Sequence, residues 1–385
     1  MRVAHVITRL IVGGAQENTI ASVLGLRTKP GLEVSLISGP TTGPEGTLEP
    51  LVAGVPGLLT LVPALVRPVS PWHDARAALA LVRCFRELRP QLVHTHSGKA
   101  GILGRWAAHR TGVPIIIHTV HGPSFGTFQG SLANGAFRVA ERWAGRLTTH
   151  FVTVAHAMTR QYLAAGIGSP ERYTRILSGF PLQGYLRATN DPALRAQLGL
   201  GPQDVVVGKI ARLFALKGHD DLFAVAPALV RRCPRLKFLL VGDGPWRERF
   251  GALARQLGLA DRVCFAGLVA PEHIPRYLGV MDLLVHLSRR EGLPRALPQA
   301  LAAGKPVVAY DSDGAGEVCV DDQTGFLVPV GDLAALTDRV ARLAEDTALR
   351  AALGQRGRAL VQAWFPVEKM VEELHELYLK LSRAC

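Results

Sequence analysis

Acidic residues are scarce in the first half of this chain. Residues 1–180 carry 8 Asp and Glu against 18 Lys and Arg, whereas residues 181–385 carry 23 against 26. The formal net charge of +13 therefore belongs almost wholly to the first half. Such an excess attracts phosphates, nucleic acid or an acidic membrane face. Cysteine is sparse as well. Cys84, Cys233, Cys264, Cys319 and Cys385 stand far apart with no C-x-x-C pair, which argues against a zinc ribbon or a disulfide scaffold and for reduced thiols in a cytosolic protein. No stretch reads as a spanning helix or a signal peptide. The nearest, from Pro50 to Val66, is broken by Pro56 and Pro63; it reads as loop plus strand, or as an apolar docking loop. There is no P-loop, no full dinucleotide fingerprint and no internal repeat. The basic residues lack the aromatic interleaving or helix-turn-helix pattern of a nucleic-acid binder, so no nucleic acid is expected as a partner.

What is present is a rhythm. In 385 residues, 48% hydrophobic, short apolar runs alternate with longer amphipathic ones. "RVAHVIT", "LEVSLISG", "QLVHTHS", "PIIIHTVHG" and "THFVTVA" read as strands with helices between them. The rhythm restarts with "VVVGKIARL", "LKFLLVGDG", "RVCFAGL", "MDLLVHLS", "PVVAYD" and "GFLVPV". Alternation of this kind predicts parallel sheets covered on both faces. The fold class expected is α/β, with two Rossmann-like doubly wound domains facing a cleft. Their spans are 1–180 and 205–365, joined by a linker at 181–204 rich in Gly, Pro, Asn and Asp, with a strongly helical segment at 366–385.

Ligands bind at the carboxyl ends of strands in such sheets, and the polar, glycine-rich segments fall there. Arg212 ends one strand and Lys217 follows in the loop; a guanidinium and an ammonium together can hold a diphosphate, though two solvated cations would look the same. Glu291 stands just before a predicted helix start, where Gly292 lets the chain approach closely and Leu293 and Pro294 fall in the first turn; the first N–H groups of such a helix favour an anion. Gln299 lies eight residues on, two helical turns from Glu291, so both can hold one polar ligand. A capping acid and an exposed amide fit the same spacing. Gly242, Asp243 and Gly244 form a tight turn after a strand, as do Gly13 and Gly14 after the first, and both allow close backbone approach to phosphate. His94, His96, His118 and His121 sit at two strand ends. No acid accompanies them, so hydrogen-bonding histidines are expected there, with no metal.

Together these motifs resemble the retaining glycosyltransferases of the GT-B fold, family-4 type (glycosyl transferases group 1), found in bacterial lipopolysaccharide and exopolysaccharide synthesis. The segments that carry the resemblance are Gly13-Gly14, "VHTHSGKAGILGR", "HTVHG", "GKIARLFALKG", "VGDGPWR" and "EGLPRALPQALAAGKPVVAYDSDGAGEV…TGFLVPVGD", nearly the whole chain. The resemblance implies transfer of a hexose-type sugar from a UDP-, GDP- or ADP-linked donor to a glycan or lipid-linked acceptor, with retention and without metal or other cofactor. Arg212 and Lys217 match the diphosphate grip, and Glu291 the first acid of the family's E-x7-E motif. Gln299 stands where the second acid meets the ribose. The backbone of Gly292, Leu293 and Pro294 would lie by the phosphates. His121 matches a histidine near the transferred sugar, Gly14 a glycine loop that closes over the donor, and the last helix would cross back to the first domain.

Three departures stand out: Gln299 replaces an acid, "VTVAHAM" lacks a common Ser, and "ILSGFPLQGY" replaces an Asn-Gly-Ile-Asp-like turn. A nucleotide-sugar epimerase and a non-catalytic sugar-nucleotide binder of the same fold are the rival readings. The basic half is the acceptor half in this fold, which leads us to expect a cytoplasmic protein resting peripherally on an anionic membrane surface.

Overall fold

A computed structural model describes residues 1–43, 45–126 and 129–384; Cys385 lies outside them. The chain forms two compact units: Met1–Phe180 together with the helix that begins at Val367, and Pro181–Pro366.

The first unit is built on β1 (Arg2–Ile7), β2 (Glu33–Ser38), β3 (Leu59–Leu61), β4 (Leu92–His96), β5 (Ile115–Val120), β6 (His150–Thr153) and β7 (Tyr173–Arg175). Their order is β3-β2-β1-β4-β5-β6-β7, and every neighbouring pair is parallel. All residues of β4 and β5 are buried, because helices cover both faces of a parallel sheet. Side chains alternate between faces along a strand, and the two cores show it. Val3 and Ile7 join one cluster, Ala4 and Val6 the other. The final helix, Val367–Arg383, sends Met370, Val371, Leu374, Leu377 and Tyr378 into the first cluster. Those positions form one helical stripe, and each large side chain buried there contributes roughly 1.5–3 kcal/mol.

The reading of Pro50–Val66 as loop plus strand meets a short helix, Pro50–Ala53, before β3. The sequence reading missed the helix His156–Ala164 and β7; three residues are too few to show a period.

The second unit holds β8 (Val205–Ile210), β9 (Leu236–Val241), β10 (Val263–Gly267), β11 (Leu283–His286), β12 (Val307–Tyr310) and β13 (Gly325–Val328). The order is β10-β9-β8-β11-β12-β13, with parallel pairs throughout. Residues 181–204 were expected as a linker, but they belong to this unit. The reason is Arg195, buried in the helix Pro192–Gln197. It donates to the carbonyls of Val280 at 3.1 Å, Gly201 at 2.6 Å and Asp204 at 2.8 Å. Leu194 and Leu200 are buried beside it. The Gly, Pro and Asp that suggested a linker are turns and a cap: Asp191 accepts from the amides of Ala193 and Leu194.

Candidate functional site

In the second sheet the strand order reverses between β8 and β11, and such switch points open crevices at the strand ends. The loop after β8 carries Arg212 and Lys217; the loop after β11 carries Glu291. They meet: the Lys217 ammonium donates to Glu291 Oε1. Phe214, which sequence reasoning passed over, orders both cations. The Arg212 guanidinium lies 4.6 Å from its ring centre and the Lys217 ammonium 5.9 Å, within reach of cation–π attraction.

The backbone on both sides of this pair is strained. Leu216, just before Lys217, has φ +68°, and Asp313 has φ +48°, a region that side chains with a Cβ rarely enter. Each is pinned. Leu216 O accepts from Arg289 N at 2.9 Å, and Asp313 Oδ2 accepts from Glu291 N at 2.7 Å. The loops after β11 and β12 are joined further by Gly314 N donating to Gly292 O at 3.1 Å and by Ser312 Oγ donating to Ser288 O at 2.7 Å. Burial works against charge on Glu291, but the Lys217 ammonium outweighs it and holds the carboxyl below the usual range.

Around this pair lie buried polar groups without partners. Lys209 Nζ, both ring nitrogens of His219 and His286 Nε2 make no hydrogen bond among the described residues. Burial, with Lys217 adding repulsion, pushes the Lys209 ammonium down to about 7. Burial also takes His286 down to about 3, so its ring is neutral and its 3.8 Å approach to Glu291 is no ion pair.

Two expectations about this segment change. The helix spans Ala296–Ala302, so Pro294 precedes it and Glu291 and Gln299 do not share a helix face. Gln299 is buried, not exposed, and its Nε2 donates to Tyr185 Oη at 2.9 Å. Tyr185 sits in the stretch expected as linker, where nothing in the sequence tied it to Gln299.

The turn Gly242–Asp243–Gly244 packs backbone against backbone. Gly242 has φ +129°, and a Cβ there would stand 2.3 Å from Ala211 O. Leu213 N donates to Asp243 O at 3.0 Å. The turn thus props the start of the Arg212–Lys217 loop. Gly13 and Gly14 open the helix Gly14–Arg27, whose first turn has no side-chain cap.

His94, His96, His118 and His121 do not act as one group. Their strands put His94 and His96 on the face covered by the last helix and His118 on the other, where its Nδ1 meets Thr95 Oγ1 at 2.9 Å. His121 Nε2 lies 3.0 Å from His96 Nδ1. His5, His94 and His96 bring ring nitrogens within 4.8 Å of one another. All six of these nitrogens are already in hydrogen bonds, among themselves or to Tyr378, Thr119 and His121.

Residues 190–360 match the family described as glycosyl transferases group 1, and residues 13–179 match the glycosyl transferase 4-like domain. The chain is 26% identical over 324 residues to the Escherichia coli UDP-Gal:alpha-D-GlcNAc-diphosphoundecaprenol alpha-1,3-galactosyltransferase, covering 83% of each chain. It is 32% identical over 262 residues to a GDP-mannose-dependent alpha-(1-6)-phosphatidylinositol monomannoside mannosyltransferase of Mycolicibacterium smegmatis, covering 65% of this chain and 66% of that one. Among solved structures, Anabaena HepE in complex with UDP-glucose matches with TM-score 0.82 and 24% identity over 99% of this chain and 100% of that one. Sucrose-phosphate synthase from Thermosynechococcus elongatus matches with TM-score 0.85 and 22% identity over 100% of both. These likenesses give the GT-B fold. With both halves matched, the chain belongs to the group 1 glycosyltransferases.

Proposed function

We propose that this glycosyltransferase moves a hexose-type sugar from a nucleoside-diphosphate donor to a glycan or lipid-linked acceptor, with retention of configuration. The observation that carries the reading is the Lys217–Glu291 pair at the switch point of the second sheet, ringed by buried polar atoms that lack partners. Such atoms cost free energy unless a ligand satisfies them. The strained residues that hold the pair suit a site set in advance for its ligand.

In this reading the donor diphosphate competes with Glu291 for the Lys217 ammonium, and Arg212 supplies the second cation. As the bond to the sugar breaks, negative charge grows on the departing phosphate, and both cations stabilise it. The backbone of Gly292, Leu293 and Pro294 lies by the phosphates. Glu291, released from Lys217, accepts from sugar hydroxyls. Gln299 serves the ribose with its amide oxygen, its nitrogen being held by Tyr185. His121 serves the transferred sugar. None of these steps calls on a metal.

A screen of UDP-, GDP- and ADP-linked sugars, reading released nucleoside diphosphate with and without lipid-linked acceptor, tests this. Release that depends on acceptor supports transfer. Isomerised or free sugar with no acceptor dependence would instead indicate an epimerase, and the anomeric form of the product tests retention.

The acceptor side of the proposal rests on the first unit. No helix among the described residues is long and apolar enough to cross a membrane. The helix Ser131–Arg146, however, exposes Leu132, Ala136, Val139 and Trp143 along one stripe, beside Arg142 and Arg146. Leu132 is 91% exposed and Val139 65%. Apolar side chains with flanking arginines suit the headgroup region of an anionic bilayer. Co-sedimentation with anionic vesicles at low salt is expected, weakened by Leu132→Ser with Trp143→Ser; equal recovery with neutral vesicles would remove this part of the proposal.

A further inference from the structure

The face of the first sheet under the last helix contains a continuous run of hydrogen bonds ending at His121. Thr119 Oγ1 meets His94 Nε2 at 2.6 Å, and His94 Nδ1 meets Tyr378 Oη at 2.5 Å. Tyr378 Oη meets His5 Nε2 at 3.2 Å, His5 Nδ1 meets His96 Nε2 at 2.9 Å, and His96 Nδ1 meets His121 Nε2 at 3.0 Å. Register explains the assembly. His5 pairs with His94 and His96 with Thr119 across β1, β4 and β5, so all four point to one face, where Tyr378 descends from the helix Val367–Arg383.

A neutral imidazole has one N–H and one lone pair, and burial keeps His5, His94 and His96 neutral, with His5 pushed down to about 3. Tyr378 has one proton for two histidines, so it donates to one and accepts from the other. The run therefore has two senses. In the first, Tyr378 donates to His94, His94 donates to Thr119, and each ring from His121 back through His96 and His5 donates toward Tyr378. His121 then carries its proton on Nε2. In the second, Thr119 donates to His94, His94 to Tyr378, Tyr378 to His5, His5 to His96, and His96 to His121. A neutral His121 then carries its proton on Nδ1. The senses are not equal. Thr119 is buried, and in the first its hydroxyl proton has no acceptor among the described residues. In the second every proton from Thr119 to His96 has one, and a buried donor left unmade is the costlier state.

From this geometry we infer that Thr119 and Tyr378 are positioning residues for His121: the Thr119 hydroxyl sets the sense of the run, Tyr378 transmits it, and neutral His121 is held with its proton on Nδ1, as a hydrogen-bond donor from that nitrogen. The effect on transfer rests on the role proposed for His121; the placement of the proton does not.

Ring-nitrogen chemical shifts of His121, identified by their loss in His121→Asn, read the proton directly. The wild-type protein is expected to show the Nδ1–H form alone. Tyr378→Phe and, as an independent and nearly isosteric break, Thr119→Val are expected to let the Nε2–H form appear, and Thr119→Ser to restore the wild-type pattern. With the proton misplaced, kcat is expected to fall about fivefold, the worth of one ordinary hydrogen bond, while donor KM changes less than about twofold. An Nε2–H form in the wild type, or unchanged His121 shifts in both Tyr378→Phe and Thr119→Val, overturns the inference. If His121→Asn transfers sugar at the wild-type rate, the role proposed for His121 falls instead, and the shifts still decide where the proton sits.

Discussion

The polar interiors of the two units are built in opposite ways. In the first, the buried charged and histidine side chains are closed on one another or on hydroxyls. Arg105 and Glu141, both fully buried, pair at 2.7 Å. Arg105 also donates to Gly101 O at 2.7 Å, and Glu141 accepts from Ser124 Oγ at 2.8 Å. The histidines under the last helix use every ring nitrogen. In the second unit, Lys209, His219 and His286 leave buried nitrogens without hydrogen bonds, next to an acid–base pair on strained backbone. A closed network fixes a structure; an open one has capacity left for a ligand. In the function proposed above, the contrast separates the part of the molecule that positions from the part that binds.

The comparison can be broken from either side. The largest effect is expected where the closed network is opened. Arg105→Met leaves Glu141 buried without its partner and should cost roughly 3–5 kcal/mol, read by urea unfolding of the first unit. On the open side, Lys217→Ala removes the ammonium that holds Glu291 ionised; the pair is partly exposed, so the stability cost should be smaller than for Arg105→Met, while kcat should fall by about 10²–10³, or roughly 2.7–4 kcal/mol of barrier, as for loss of one donor to a developing anion. A Lys217→Ala protein with full activity would remove the pair from the mechanism.

Lys209 tests the sign. Its folded pKa of about 7 lies below the ordinary 10.5, so between those values the unfolded chain holds a proton that the folded chain does not. Stability from this group therefore rises with pH across that window and is lost as pH falls toward 7. Lys209→Met should raise stability at pH 7 by roughly 1–3 kcal/mol, and its advantage should shrink as pH approaches 10.5. An advantage that is constant with pH would show the lysine is not the cause. The smallest effect belongs to Gln299→Glu, expected to tighten donor binding by up to roughly 1 kcal/mol through a charge-assisted bond to the ribose. Calorimetry in a Tyr185→Phe background separates that gain from the altered contact to Tyr185.

The strands that build both sheets were legible in the sequence because a doubly covered parallel sheet demands continuous apolar runs, and β8, β9, β11 and β12 each show one. Arg212, Lys217 and Glu291 were legible as residues at strand ends, and the structure brings Lys217 and Glu291 into contact. Their supports were not legible. Phe214, Asp313 and Tyr185 act across loops with no period to read, and Leu216 gives no sign in its own identity of a left-handed backbone. The linker and the early helix start failed for one reason: Gly, Pro and Asp mark turns whether the segment is packed or free, and only a distant partner, such as Val280 for Arg195, tells the two apart. The histidines were seen as a group, but their division between faces needed the register of β4 against β5, and Tyr378 lies 284 positions beyond His94.

The helix Val367–Arg383 gives the first unit an unusual order of assembly. Everything the second unit requires lies in one continuous segment, Pro181–Pro366, so its core needs no residue from outside that segment. The first unit is made of two segments separated by the whole second unit, and its face of β1, β4 and β5 stays open until the second segment, Val367–Arg383, brings in Tyr378. Until then His5 and His94 are without the hydroxyl that joins them. Folding of Met1–Phe180 is thus governed by a segment that follows the whole second unit in the chain, and removal of that helix should leave the second unit intact while the first waits unfinished for a chaperone or a protease.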